Sequence, residues 1–96
     1  MRFSRTDQFK DDYKGLTKAD QDAVDKAFRE VALALQGDES LFKKYKIKKM
    51  QGWPGIWEGH VKGDYLCFTI HYDIPDTGEK ICSFRRVGTH PLYTNP

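Results

Sequence analysis

The apolar residues of this chain change from a helical to a strand-like period near Gly37, and this change constrains the fold most strongly. Before Gly37 they recur every three or four positions, which keeps one stripe of a helix facing a core. Thr6 and Thr17 precede two such stripes and are suited to be helix N-caps. We therefore expect one helix from about Asp7 to Leu16 and a second that ends at Gly37. Their inward residues would be Phe9, Tyr13, Leu16, Ala23, Val24, Ala27, Phe28, Val31 and Leu35.

Short runs of β-branched and aromatic residues follow Gly37 and indicate strands. The clearest runs are Gly55 to Val61, Tyr65 to Tyr72 and Lys80 to Val87. A first strand is expected over residues 1–5, and residues 45–50 suit either a short strand or an extended loop. The connections after residue 55 are hairpin-sized and too short for crossover helices. We predict one domain over residues 1–96, an α+β fold with two N-terminal helices packed on one face of a twisted antiparallel β-sheet whose other face is partly open.

Charge is distributed unevenly along the chain, although the net charge is only +2. Acidic residues crowd the first forty positions, and a basic run follows them over residues 43–49. Arg85 and Arg86 add cations near the end. Such a surface attracts phosphates, although a lysine run is also typical of an ordinary solvated face. Charge alone therefore leaves RNA contact open.

The N-terminal residues contain no apolar stretch like that of a signal peptide, and no window approaches about 18 consecutive apolar residues. Cys67 and Cys82 fall inside apolar, strand-like runs. We expect buried, reduced thiols in a cytoplasmic protein without a membrane span.

The residues suited to acid and base chemistry lie in the second half of the chain. Glu58 and His60 are two positions apart, which puts them on one face of a strand, and Asp64 follows in the next turn. His90 stands just past another strand end, where a sheet presents reactive groups. A histidine beside acids is also common as an ordinary surface residue, so this pattern alone is not specific. No phosphate-binding glycine loop, CxxC or HExxH motif occurs, and we expect no metal and no cofactor.

Two motifs carry a family resemblance. The sequence QGWPGIWEGHVKGDYL over residues 51–66 and RVGTH over residues 86–90 resemble the YafQ branch of the RelE/ParE toxins. Leu66 is aliphatic, as in that branch, where many RelE-type members have arginine. In two departures from the pattern, Lys48 stands where another histidine is usual, and the segment from His90 to Tyr93 is one residue short.

The resemblance implies a role for individual residues. It makes His60, Asp64 and His90 the leading catalytic candidates, with Glu58 as support. It also implies that Tyr65 lies beside the site and that Tyr93 helps to position RNA. The cations that we expect to bind RNA and to stabilise charge on the phosphate are Lys48, Lys49 and Arg85.

The resemblance also implies a function. The chain would be the toxin of a type II toxin–antitoxin system, an endoribonuclease that cleaves mRNA in the ribosomal decoding site by acid–base catalysis without a metal. Its protein partner would be an acidic antitoxin bound across the basic face. The alternatives are a ParE-like toxin that inhibits DNA gyrase and a catalytically silent interaction module of the same fold.

Overall fold

A computed structural model of the chain describes residues 2–63, 65–73 and 81–96. The strands are β1 (Arg2–Arg5), β2 (Lys48–Lys49), β3 (Ile56–Lys62), β4 (Leu66–Asp73) and β5 (Ile81–Gly88). The helices are α1 (Asp7–Lys14), α2 (Lys18–Leu35) and α3 (Glu39–Lys44), and a 3-10 helix spans His90–Thr94. The predicted α+β fold is confirmed. The helix α3 was not predicted, and the expected start of the last strand at Lys80 lies outside the described residues.

The strands form one sheet in the order β1-β5-β4-β3-β2. The pairs β2–β3, β3–β4 and β4–β5 are antiparallel, as the short connections predict. The edge strand β1 is instead parallel to β5, so the sheet is mixed and not wholly antiparallel. Parallel neighbours need a long crossover, and here the helices and the other three strands lie between β1 and β5 in the chain.

Threonine hydroxyls fix the starts of the two long helices, as the sequence predicts. Thr6 Oγ1 accepts a hydrogen bond from the backbone N–H of Phe9 at 3.0 Å, and Thr17 Oγ1 accepts one from Asp20 at 3.2 Å. The second helix ends at Leu35, and Gly37 follows with a φ of 120°, a conformation that favours glycine.

The helices cover one face of the sheet through aromatic contacts. The Phe28 and Phe84 rings lie 4.5 Å apart between centroids, and the Phe9 ring meets Phe84 edge-on at 5.8 Å. Such pairs add specific geometry to the burial of large apolar area. Leu92 of the 3-10 helix is 5% exposed and joins the interior.

Alternation along the strands separates the core from a second face. Trp57 and Val61 of β3 pack toward the core, so Glu58 and His60 lie on the side away from the helices. We call this side the outer face; it is defined by Glu58, His60 and their neighbours Cys67 and Thr69 on β4. Cys67 and Thr69 are both 0% exposed, so this face is enclosed at its centre.

Both cysteines are buried thiols, as predicted, and burial raises the pKa of Cys82 to about 12. Among the residues that the structure describes, none of the helices has the length and apolar content needed to cross a bilayer.

Candidate active site

The strand register places one row of outer-face residues across three strands. Lys48 of β2 pairs with Glu58 of β3, and Glu58 pairs with Thr69 of β4. In a second row, His60 pairs with Cys67 and Cys67 with Gly88 of β5. Directly paired residues share a face. Glu58 and His60 therefore come together as the sequence predicts.

The ring of His60 is held by the turn that follows its strand. Its Nδ1 lies 2.9 Å from the carbonyl oxygen of Gly63. A carbonyl oxygen only accepts hydrogen bonds, so Nδ1 must carry the proton and donate it. In a neutral ring with this tautomer, Nε2 carries the lone pair and is the basic nitrogen. The Sγ of Cys67 lies 3.9 Å from Nδ1, a longer contact that the tautomer does not depend on.

The backbone of His60 is also fixed. Its N–H donates to the carbonyl of Tyr45 at 2.7 Å, which joins the middle of β3 to the corner between α3 and β2. Tyr45 is 4% exposed, and its hydroxyl donates to Glu30 of α2 at 2.7 Å. The ring of His60 therefore projects from a strand whose position is set by the buried core.

Glu58 has a cation beside it. The Nζ of Lys48 lies 3.5 Å from the Glu58 carboxylate, whose side chain is 14% exposed while that of Lys48 is 69% exposed. A charge pair with one solvated member contributes little to stability. The effect of this pair is electrostatic. Lys48 presents a cation to solvent beside Glu58, which lies two residues before His60 in β3.

Two of the predicted catalytic groups lie outside what the structure describes: Asp64, and the side chain of His90. The backbone of His90 begins the 3-10 helix two residues after Gly88. Gly88 stands two strands from His60 in the register, a separation of about 10 Å at the usual strand spacing. The fold therefore brings the start of this helix close to the His60 row. That His60, Asp64 and His90 share one site stays a prediction.

Tyr65 is tied to the helix layer through its hydroxyl. The ring is 58% exposed, and its hydroxyl donates to Oδ2 of Asp20 at 3.0 Å. The Asp20 carboxylate raises the pKa of this hydroxyl, because it accepts the hydrogen bond and its charge disfavours a phenolate. The exposed ring leaves a face that an RNA base could stack on.

The other predicted RNA-binding residues lie in different places. The Nζ of Lys49 lies 5.4 Å from the centre of the Trp57 ring, on the side of β3 opposite Glu58. The guanidinium of Arg85 donates from Nε and Nη2 to the carbonyl of Pro96, each at 3.3 Å. Tyr93 is half-buried with an enclosed hydroxyl. Only Lys48 of this group adjoins Glu58 in the described residues.

Comparison with known proteins identifies the chain. The family model described as "Bacterial toxin of type II toxin-antitoxin system, YafQ" matches residues 1–92. The chain belongs to this family. No curated protein gives a significant sequence match.

Solved structures agree with this YafQ-family assignment. YafQ from Escherichia coli strain BL21(DE3) is 26% identical, with a TM-score of 0.67 over 97% of this chain and 98% of that one. A chain of the E. coli DinJ–YafQ complex is 24% identical, with a TM-score of 0.66 over 96% and 97% of the two chains. A chain of the RelB–RelE antitoxin–toxin complex from Methanococcus jannaschii is 21% identical, with a TM-score of 0.64 over 99% and 96%. The last two show a shared fold.

Sequence reasoning missed two residues near the candidate site of this YafQ-family toxin. Asp20 looks like a helix-capping acid, yet its carboxylate binds Lys62 and Tyr65 across the molecule. Lys62 looks like a turn residue. A shift in strand register between His60 and Lys62 turns its side chain toward the helices, and no local pattern in the sequence predicts that bulge.

Proposed function

We propose that this YafQ-family toxin is an endoribonuclease that cleaves mRNA, in association with the ribosome, by acid–base catalysis that needs no metal. The 2′-hydroxyl of one nucleotide attacks the adjacent phosphorus. The bond from phosphorus to the 5′-oxygen of the next nucleotide breaks. The products are a 2′,3′-cyclic phosphate and a free 5′-hydroxyl, so one proton leaves the 2′-oxygen and one reaches the departing 5′-oxygen.

The observation that carries the proposal is the geometry of His60. The contact between Nδ1 and the Gly63 carbonyl makes Nε2 the basic nitrogen of a neutral ring. The ring is half-buried on the outer face, beside a carboxylate and an exposed lysine. A general base that is held in one tautomer contributes on the order of 10²–10⁴ in rate.

The remaining roles follow from the YafQ pattern and from charge. His60 or Asp64 takes the 2′-proton, and the oriented His60 ring favours His60. His90 returns a proton to the leaving oxygen. Lys48 stabilises the charge that grows on the phosphate oxygens, because its ammonium group is exposed beside Glu58. Lys49, Arg85, Tyr65 and Tyr93 act on RNA farther from the cut.

The protein partner in this proposal is an acidic antitoxin. The family is that of type II toxin–antitoxin systems, and solved relatives include antitoxin–toxin complexes. The basic run over residues 43–49 ends in β2, where Lys48 adjoins Glu58 of the candidate site. An acidic segment that covers this surface would exclude RNA phosphates from the same cations.

The test of the function is expression of this chain in cells with and without the neighbouring open reading frame. We expect growth arrest and cleaved mRNA on ribosomes from the chain alone, and normal growth when both proteins are made and recovered as a complex. Arrest with intact mRNA and inhibited DNA gyrase would point to the ParE-like alternative. Normal growth despite abundant folded toxin would overturn both readings and leave an interaction module.

A further inference from the structure

A buried carboxylate joins the second helix to the turn after β3. Asp20 lies in the first turn of α2 and is 5% exposed. Its Oδ1 accepts a hydrogen bond from Lys62 Nζ at 2.8 Å, and its Oδ2 accepts one from the Tyr65 hydroxyl at 3.0 Å. Both donors are directional, and one carries a full charge.

The ionised form of Asp20 is favoured by these contacts. The hydrogen bond from Lys62 is the main cause that holds the pKa of Asp20 below its ordinary value, and the bond from Tyr65 acts in the same direction. Burial opposes the shift. The carboxylate is therefore charged at neutral pH and occupied on both oxygens by residues of the β3–β4 hairpin.

The two donors stand on either side of the turn that orients His60. Lys62 and Tyr65 bracket Gly63, whose carbonyl accepts from Nδ1 of His60 at 2.9 Å. The Tyr65 N–H also donates to the Lys62 carbonyl at 3.0 Å, which closes the turn. Gly63 has a φ of 49°, in the left-handed region that suits glycine. Because the side chains of Lys62 and Tyr65 both bind Asp20 of α2, these two hydrogen bonds hold the turn between them in place.

The bulge in β3 makes this anchoring feasible. The register passes from His60 paired with Cys67 to Lys62 paired with Leu66, which leaves Val61 as the extra residue. Lys62 therefore shares a face with Leu66, which is 1% exposed and faces the helices, whereas His60 stays on the outer face. The same irregularity that sends Lys62 to Asp20 keeps His60 beside the candidate site.

From this arrangement we infer that Asp20 is a positioning residue, which fixes the Gly63 carbonyl through Lys62 and Tyr65 and thereby holds the tautomer and orientation of the His60 ring. The inference rests on the proposed nuclease function for its kinetic consequence, but the effect on the ring is independent of activity. Asp20 acts across the sheet from the reaction and does not touch RNA.

The test compares Asp20→Asn with the wild-type toxin in two measurements. Long-range ¹H–¹⁵N NMR of the His60 ring should show the Nδ1–H form in the wild type and a shift toward Nε2–H in the variant. With mRNA on ribosomes and toxin in excess, the maximal cleavage rate should fall by roughly tenfold or more, because small displacements of a reacting group are costly. Asp20→Ala, which removes both acceptors, should lose more.

Two further variants make the result specific. Tyr65→Phe keeps the ring and removes one hydrogen bond, so it should change the tautomer in the same direction by a smaller amount and remain informative if Asp20 variants fold poorly. Asp22→Asn removes the same charge from the same helix, where an exposed ion pair with Lys18 at 2.9 Å is lost. It should leave both readouts unchanged.

The outcomes separate the two proposals. A folded Asp20→Asn toxin that keeps the wild-type tautomer and cleavage rate overturns the inference, as does reduced thermal stability in Asp20→Asn and Tyr65→Phe without any change in the ring. If wild-type toxin leaves mRNA uncut while the variant still shifts the tautomer, the nuclease proposal fails and the positioning role stands.

Discussion

Among the described residues, a main-chain carbonyl holds Nδ1 of the His60 ring, with the Gly63 oxygen at 2.9 Å. Glu58 has Lys48 at 3.5 Å. A carbonyl only accepts hydrogen bonds, so its contact with Nδ1 fixes the tautomer of the ring. The sequence pattern identified Glu58 and His60 as site residues. Their contacts with Lys48 and with the Gly63 carbonyl depend on the strand register and on the turn after β3.

Gly59, which lies between Glu58 and His60, has a packing role. An added Cβ at Gly59 would clash with Cζ of Phe68, a core ring that is 2% exposed and packs against Phe84. Glycine at position 59 is therefore explained by the Phe68 ring that crosses over it.

We expect Gly59→Ala to destabilise the toxin by about 1–3 kcal/mol, because the buried Phe68 ring would have to shift within the core to make room for the new Cβ. Urea unfolding measures the change. The matched control is Gly15→Ala, where the new Cβ would meet the Asp12 carbonyl at an ordinary 3.5 Å and the effect should stay within about 0.5 kcal/mol. Equal stabilities for the two variants would contradict this account of Gly59.

At the scale of elements, α1 is joined to the C-terminal end of β5 by an ion pair. The Arg86 guanidinium donates from Nε and Nη2 to the Asp12 carboxylate at 2.9 and 3.1 Å, and the Val87 N–H donates to the same group at 3.2 Å. β1 pairs with β5 only as far as Phe84, so this carboxylate satisfies a strand edge that β1 does not reach.

Replacing Asp12 by Ala should cost about 2–3 kcal/mol in the free energy of unfolding, because Nε and Nη2 of Arg86 and the Val87 N–H lose their shared acceptor in a partly buried place. The side chains of Arg86 and Asp12 are only 23% and 13% exposed. Asp22→Ala serves as the control, since its pair with Lys18 is 60% and 82% exposed and should contribute less than about 0.5 kcal/mol. Similar losses of stability in both variants would show that the burial of the ion pair does not determine its contribution to stability.

Local signals predicted the two long helices and the hairpins, because caps, spacing and turn lengths act within a few residues. The threonine caps at Thr6 and Thr17 and the strands over residues 56–62 and 66–73 follow from such signals. The parallel pairing of β1 with β5 joins distant segments, and nothing near Arg2 indicates which strand it will meet. The contact of Asp20 with Lys62 is unpredictable for the same reason, since they are 42 positions apart.

At the scale of the whole molecule, the acidic first half and the basic second half meet in the folded state. Glu30 of α2 accepts from the Tyr45 hydroxyl at 2.7 Å and from Lys44 at 3.0 Å. The hydrogen bond from Tyr45 is the main cause that lowers the pKa of Glu30 from its ordinary 4.5, and that from Lys44 adds to it. Asp20 is lowered in the same way by Lys62 and Tyr65.

These shifts predict acid sensitivity. A carboxylate whose pKa is lower in the folded state binds fewer protons there than in the unfolded chain, so its contribution is present above the unfolded pKa and is lost as the pH falls through the folded one. We expect the free energy of unfolding to fall as the pH drops from about 6 to about 3. Tyr45→Phe removes the hydrogen bond that is the main cause of the lowered Glu30 pKa, so the free energy of unfolding should depend less steeply on pH. An unchanged pH dependence in this variant would contradict the assignment.

We propose that the outer face of this YafQ-family toxin cuts mRNA with His60 as the base. The most direct measurement maps and chemically identifies RNA ends after incubation with translating ribosomes, for wild type and for His60→Gln toxin of confirmed fold. We predict new 5′-hydroxyl and 2′,3′-cyclic phosphate ends with the wild type, and a reduction on the order of 10²-fold or more in the variant. New ends bearing 5′-phosphates, or cleavage by His60→Gln at the wild-type rate, would contradict it.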